Sequence, residues 1–448
     1  MKETIPKEEI RDYSSIKRIQ SIDLVKGLAI ILIVLCHTSG HWFDSDWIFL
    51  HGILYMWLDV FGPSLFIFLS SLSVVFSLTK KKSKLPQSVI RNRIISRGLL
   101  IMLVGSLYTI ASNMIFLPGL TFPFNLWGWN ILVFIGASQI FAYYALKISQ
   151  PGRIFIGFII LTFSPQLNII FTELILLERG IDPAIWWIQM GVDPMTTAPQ
   201  LITANADLNS FASIVYFLLY SPTPHAPPFP WISICFISSI WGEWLAEAMQ
   251  KSTAKAYKNF LKRIIEWGFF FVLIGIFFGY ELMNVESARV EYINIPLWEI
   301  ANQQPITYFP GVFRFLIHGQ ASNTIYLMGM ALLILAIFFY LVDIKRSSNN
   351  FFIMLIYYGK TSLSLFLIHY LCFFLFPASL NIIWGVFLIL GYVALLGFTM
   401  YLWIEFGNGV GSPEWIIIQM GRIGTRVEDK SKEAIEKYKI EHKKNPNE

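Results

Sequence analysis

Three ionisable side chains on one apolar stretch carry the first chemical signal in this chain. The segment Ser21–His37 is apolar enough to cross a bilayer, yet it holds Asp23 and Lys26 at one end and His37 at the other. Ionisable groups on a membrane helix are costly to place and mark function by default. At 3.6 residues per turn, Lys26 and His37 share one stripe about 16 Å apart along the axis, with Asp23 about 40° off it. A neutral imidazole with a reference pKa of about 6.5 suits general-base work. A plainer reading stands beside this one: Lys26 snorkels to headgroups, Asp23 marks the same interface, and His37 closes the far end.

Further candidates lie on other apolar stretches. From Gly359 to His369, helical spacing puts Ser362, Phe366 and His369 on one face, with His369 deep in the stretch. His369 reads either as a functional group or as a histidine hydrogen-bonded to a neighbouring helix. Asp59 is a candidate partner for His37 or for His51, and Pro63 reads as a membrane kink. Trp42, Trp47, Trp57, Trp127, Trp129, Trp231, Trp241 and Trp244 fall at expected span ends, as an interfacial aromatic belt would. Glu243 and Glu247 sit within reach of Lys251, and pairing with it accounts for them.

The elements that position these residues are membrane helices. The chain is 55% hydrophobic, 16% aromatic and only 14% charged, whereas soluble domains carry about a quarter charged residues. The pattern predicts an all-α polytopic membrane protein of about ten transmembrane helices. Expected spans are 21–43, 53–79, 94–117, 127–147, 153–176, 228–249, 265–282, 322–343, 351–377 and 381–405. Basic residues gather before the first span (Lys17, Arg18) and in every second loop thereafter: Lys80–Lys84 with Arg91, Arg93 and Arg97, then Lys147 and Arg153, Lys251–Arg263, and Lys345 with Arg346. That alternation places both termini in the cytoplasm. It divides the chain into a cytoplasmic segment 1–20, a transmembrane domain 21–420 and a charged cytoplasmic tail 421–448.

The first twenty residues are polar and mixed in charge, which predicts an uncleaved signal-anchor in place of a cleavable signal peptide. Two outer loops, about 177–227 and 283–320, are long enough to carry recognition. The first contains an apolar piece near 209–220 that is too short to span. Cys36, Cys235 and Cys372 are scattered, with neither a disulfide framework nor metal-ligand spacing. No basic cluster outside the loops suggests nucleic-acid binding.

With these residues in place, the chain resembles the transmembrane acyltransferase superfamily, which includes acyltransferase family 3 and relatives of the heparan-alpha-glucosaminide N-acetyltransferase catalytic domain. Asp23-Leu24-Val25-Lys26-Gly27-Leu28-Ala29 followed by His37 resembles its opening signature of a basic residue, ten positions, then histidine. Pro63 to Ser71, Trp129 to Gly136, Gly359 to His369, and Gly411-Ser412-Pro413-Glu414-Trp415 resemble four further elements in order. Lys26 stands where family 3 usually has arginine, and Ser71 where glycine is usual.

The resemblance implies transfer of an acyl group, acetyl in the first instance, from cytoplasmic acyl-CoA to a hydroxyl or amine of a carbohydrate or envelope component at the outer face of the cell membrane. Acyl-CoA is then the co-substrate and no metal is expected. The catalytic histidine is His37 or His51, since His51 occupies the loop where heparan-type members carry their own, and His369 is an accessory. Asp23 would hold Lys26 or aim it at the donor's polar atoms. Arg91, Arg93 and Arg97 are available for CoA phosphates, although positive-inside topology also explains them. A second reading, a non-enzymatic transporter of a small anion or amphiphile, would use the same polar stripe as a translocation path. The chain lacks the internal repeat and the paired interrupted helices that such a transporter commonly shows.

Cysteine labelling tests the topology. Positions Lys82, Lys255 and Lys345 should be accessible from inside, and His225 and Asn302 from outside. If residues 205–225 span the membrane completely, everything after them inverts and the ten-span reading is lost.

Overall fold

The computed structural model describes residues 19–54, 62–81, 86–116, 128–185, 210–220, 228–284, 304, 308, 311–317 and 320–419. Lys17, Arg18, Asp59, Trp57, Trp127, Lys82, Lys84, His225, Asn302, His318 and the tail 421–448 lie outside the described residues. The described chain is almost wholly helical. In order, the helices are α1 (Gln20–Trp42), α2 (Ile48–Leu54), α3 (Gly62–Lys81), α4 (Gln87–Phe116), α5 (Ile131–Ala145) and α6 (Gln150–Glu178). After these come α7 (Phe211–Leu219), α8 (Pro228–Lys251), α9 (Ala254–Phe278) and a two-stranded antiparallel pair, β1 (Leu282–Asn284) with β2 (Gly311–Phe313). The chain ends with α10 (Ala321–Phe338), prolonged by π-helical turns over Phe339–Ile344, then α11 (Asn350–Lys360), α12 (Ser362–Ile368) and α13 (Ile382–Gly407).

Five of these helices are long and apolar enough to cross a membrane: α1, α4, α6, α10 with its extension, and α13. A sixth is reached if the pair α11 and α12, bent by 74°, counts as one span. This is a multi-pass membrane protein. Helices also stand on the four remaining stretches of the ten-span reading, as α3, α5, α8 and α9. The apolar piece near 209–220 forms α7, nine residues long, started by a Ser210/Ser213 capping box and packed through Tyr216 and Tyr220 against Ile175 and Leu176 of α6.

The bundle is organised around α1. Its N-cap residue, Ile19, offers no side-chain oxygen, so a distant carboxylate does the capping. Asp343 accepts hydrogen bonds from Gln20 N (2.9 Å) and Ser21 N (3.1 Å), pinning the start of α1 to the end of α10. At the other end, Ala378 N donates to His41 O, Leu380 N to Trp42 O and Asp44 N to Leu380 O. Between the two anchors α1 crosses α11 so closely that only glycine fits. A Cβ on Gly27 would lie 1.9 Å from Leu355 O, and one on Gly359 would lie 1.7 Å from Asp23 O.

Two local expectations are corrected. Trp42, Trp129, Trp231 and Trp241 are buried in the interior and not spread along an interface, because their rings pack against other core aromatics such as Phe68 and Phe134. Pro63 is the second described residue of α3, and residues 55–61, where the expected kink would join it to α2, lie outside the described residues. Glu243 pairs with Arg153 and not with Lys251. Arg153 is 1% exposed, also donates to Ser239 Oγ at 2.7 Å, and shares Glu243 with Gln150. Arg153 thus ties α6 to α8 from inside the bundle, besides any contribution to loop charge.

The α1–α11 crossing yields a stability test. Gly27→Ala or Gly359→Ala should cost at least the roughly 1–3 kcal/mol of core overpacking, read as a lower thermal midpoint and a smaller folded yield in detergent. Gly391→Ala, on α13 with nothing within 4 Å of the added carbon, should be neutral or stabilising. A Gly27→Ala protein as stable as the parent would contradict this packing.

Candidate functional site

The site is built on a break. Where α11 and α12 meet at 74°, the first amide groups of α12 lose their intrahelical partners, and in an apolar setting they need new ones. Glu414, on the short helical segment 413–419, provides them. Its carboxylate accepts from Leu363 N at 2.8 Å, from Ser364 N at 2.9 Å and from the Ser364 hydroxyl. A carboxylate at a helix start also meets the positive end of the dipole. Arg97 of α4 lies within electrostatic reach of the same carboxylate. The Gly359–His369 and Gly411–Trp415 runs are therefore two halves of one device: the first breaks the helix, and the second caps it.

One and a half turns beyond Ser364, α12 tightens into a 3₁₀ turn, His369–Phe374. His369 is fully buried there. Its ring centroid lies 5.1 Å from that of His37, 4.2 Å from Tyr370 and 5.3 Å from Phe366. His37, half-buried on α1, is 5.2 Å from Tyr370. His369 Nδ1 is 2.6 Å from Phe366 O. A carbonyl can only accept, so Nδ1 carries the proton and the neutral ring keeps its lone pair on Nε2. Nε2 is buried and has no hydrogen-bond partner. Two contacts hold this turn in place: Tyr392 Oη donates to His369 O at 3.0 Å, and Trp42 Nε1 donates to Cys372 O at 2.8 Å.

The fold thus brings together two histidines that sequence spacing kept apart. His369 lies level with His37, ring to ring. Asp23 and Lys26 lie in the first turns of α1, where Asp23 is buried and its backbone lies against Gly359. His51 sits on α2 beside the C-terminal end of α1, with Nδ1 3.0 Å from Ser39 Oγ and its ring packed over Gly40. Burial pushes its pKa down to about 4, so it is neutral at physiological pH. Of the three arginines, Arg97 and Arg91 are exposed, Arg97 within electrostatic reach of Glu414 and Arg91 beside Asn92, and Arg93 is half-buried. Positions 93 and 97 share a helical face, and 91 does not.

Tyr108 and Tyr370 are site residues that sequence reasoning missed. Tyr108 of α4 lies 4.9 Å from Tyr370 and 6.2 Å from Phe366, ring to ring. A signal for it existed: Arg97 and Tyr108 are eleven residues apart on α4, the same interval as Lys26 and His37 on α1. Among the described residues no group of three His, Cys, Asp or Glu side chains could hold a metal ion.

The arrangement places Nε2 of a buried imidazole among phenols, with Ser364, Glu414 and Arg97 gathered at the helix break one and a half turns before it. None of the curated proteins compared with the chain matches it. A family model described as heparan-alpha-glucosaminide N-acetyltransferase, catalytic, matches residues 18–268, more than half of the chain and including α1 and α4. The chain belongs to the family of the heparan-alpha-glucosaminide N-acetyltransferase catalytic domain.

Proposed function

We propose that the protein transfers an acetyl group from cytoplasmic acetyl-CoA to a hydroxyl or amine of a carbohydrate or other envelope component at the outer face of the cell membrane. The observation that carries this reading is the meeting of His37 and His369, which come from opposite ends of the chain to a ring separation of 5.1 Å within an otherwise apolar bundle. Burying two imidazoles together has a cost in free energy, and that cost has a ready chemical use in acyl transfer.

In this reading ten helices span the membrane within residues 21–420, with both termini inside. The donor enters from the inner side. Its phosphates meet Arg93 and Arg97, with Arg91 at the mouth, through charge-assisted hydrogen bonds. Lys26, held near Asp23, contacts polar atoms further along the donor. The thioester then reaches the depth of the histidine pair. His37 removes the proton from the acceptor as its oxygen or nitrogen attacks the thioester carbonyl carbon. His369 lies beside it with Nδ1–H committed to Phe366 O, so its Nε2 lone pair is available to share or pass on that proton. The pair holds at most one extra proton at a time, because two adjacent imidazolium charges would repel each other in this medium. His51 keeps α2 seated on the outer end of α1.

Release of CoA from acetyl-CoA by the purified protein, with a panel of amino and hydroxyl sugars as acceptors, tests the proposal. His37→Ala should lower turnover by about 10²–10⁴-fold, as expected for loss of a general base, while CoA binding and thermal midpoint stay near the parent values. His51→Ala should retain turnover. Near-parent turnover in His37→Ala together with a dead His51→Ala would move the base to the α2 histidine. Activity in both variants, or no acyl transfer to any acceptor, would overturn the enzymatic reading.

A further inference from the structure

We infer that Tyr108 is a catalytic residue whose phenol donates a hydrogen bond to the acyl oxygen in the transition state, an inference that rests on the acyltransferase reading above. Its place in the cluster is the first argument. The Tyr108 ring lies 4.9 Å from Tyr370, whose ring in turn is 5.2 Å from His37 and 4.2 Å from His369. A carbonyl group seated in this cluster would have an imidazole on one side and a phenol on the other, as addition to a thioester requires.

The hydroxyl itself points the same way. Tyr108 Oη is shut off from solvent, and the group within its reach is the hydroxyl of Tyr370, in the same cluster. A phenol buried against a second phenol beside two imidazoles can turn its O–H towards a carbonyl oxygen that enters the cluster. At this position phenylalanine would supply the same apolar ring without the hydroxyl. A phenol is a neutral donor across the physiological range, so it can stabilise negative charge without adding a permanent cation to the bundle.

The last argument is rigidity. Asn130, the N-cap of α5, grips the turn of α4 that carries Tyr108. Its side-chain amide donates to Gly105 O at 2.7 Å and to Thr109 Oγ1 at 2.6 Å, while its oxygen accepts from Val133 N. A clamp three residues before Tyr108 and one residue after it fixes the ring before substrate arrives. A donor helps most when it needs no reorganisation during the reaction.

The step balances without any further reactant. The acceptor's lone pair forms a bond to the carbonyl carbon, the carbonyl π pair moves onto oxygen, and the imidazole takes the acceptor's proton. The oxyanion accepts a hydrogen bond from Tyr108 O–H, which keeps its proton. As the carbonyl re-forms, the C–S bond breaks, and the proton returns to the leaving thiolate to give CoA.

The test uses Tyr108→Phe in the full-length protein, with acetyl-CoA turnover, CoA affinity and thermal midpoint measured on the same preparation. The expected result is a fall in kcat of about 10²-fold or more, the usual effect of losing one oxyanion donor, with CoA affinity and thermal midpoint unchanged. Near-parent kcat in an active enzyme would overturn the role of Tyr108 and leave the acyltransferase reading intact. Parallel loss of kcat, CoA binding and stability would reassign Tyr108 to structure and also overturn the proposal. A parent protein with no acyl transfer would defeat both readings at once, and is thereby distinguishable from the other two outcomes.

Discussion

One carboxylate makes the site possible. A helix cannot bend through 74° inside an apolar bundle unless the amides released at the bend find acceptors. Glu414 accepts from two of them and from the Ser364 hydroxyl. With the break stabilised, α11 is free to press against α1 through Gly27 and Gly359, while α12 runs on alongside α1 and delivers His369 to His37. An unbroken helix in this stretch would not satisfy both contacts. The partial positive charge at the start of α12 and the nearby Arg97 make a half-buried carboxylate tolerable there.

The rest of the bundle serves the same end by fixing α1 and α4. Asp343 holds the start of α1, and backbone bonds from Ala378 and Leu380 hold its C-terminal end. Asn130 holds α4 at the level of Tyr108. The side chains that meet at the histidine pair therefore sit on rigid helices whose relative heights are set by hydrogen bonds at helix ends, and not by apolar packing alone. Packing by itself allows helices to slide by a turn, and such a slip would separate the rings.

Much of this was legible in the residues. Apolar length located α1, α4 and the stretch that holds α11 and α12, and the Lys26–His37 interval drew attention to α1, whereas α2 and the short helix that carries Glu414 read as loops. The motif runs ending in His369 and containing Glu414 were visible as well, but their meaning was not. Nothing in a local pattern says that Glu414 caps a helix fifty residues earlier in the chain, or that the bend falls at Lys360–Ser362. Tryptophans near span ends read as interfacial because hydropathy reports distance along a helix but not which face is turned inward. Arg153 read as a loop charge for a similar reason, since its partners Ser239 and Glu243 lie on a helix distant in sequence. Tyr108 carried the right spacing on α4, but a tyrosine in an apolar stretch gives no sign of its own that it meets Tyr370 and Phe366 from a distant helix.

The central claim is that His37 and His369 act as one catalytic unit. Its most direct measurement is the initial rate of CoA release for the parent protein, His37→Ala, His369→Ala and the double variant, each shown to bind CoA. Residues that act as a unit are strongly non-additive. The double variant should therefore be no slower than the worse single variant, with both singles severely impaired. Losses that multiply, or a His369→Ala protein with parent-like turnover, would contradict the account.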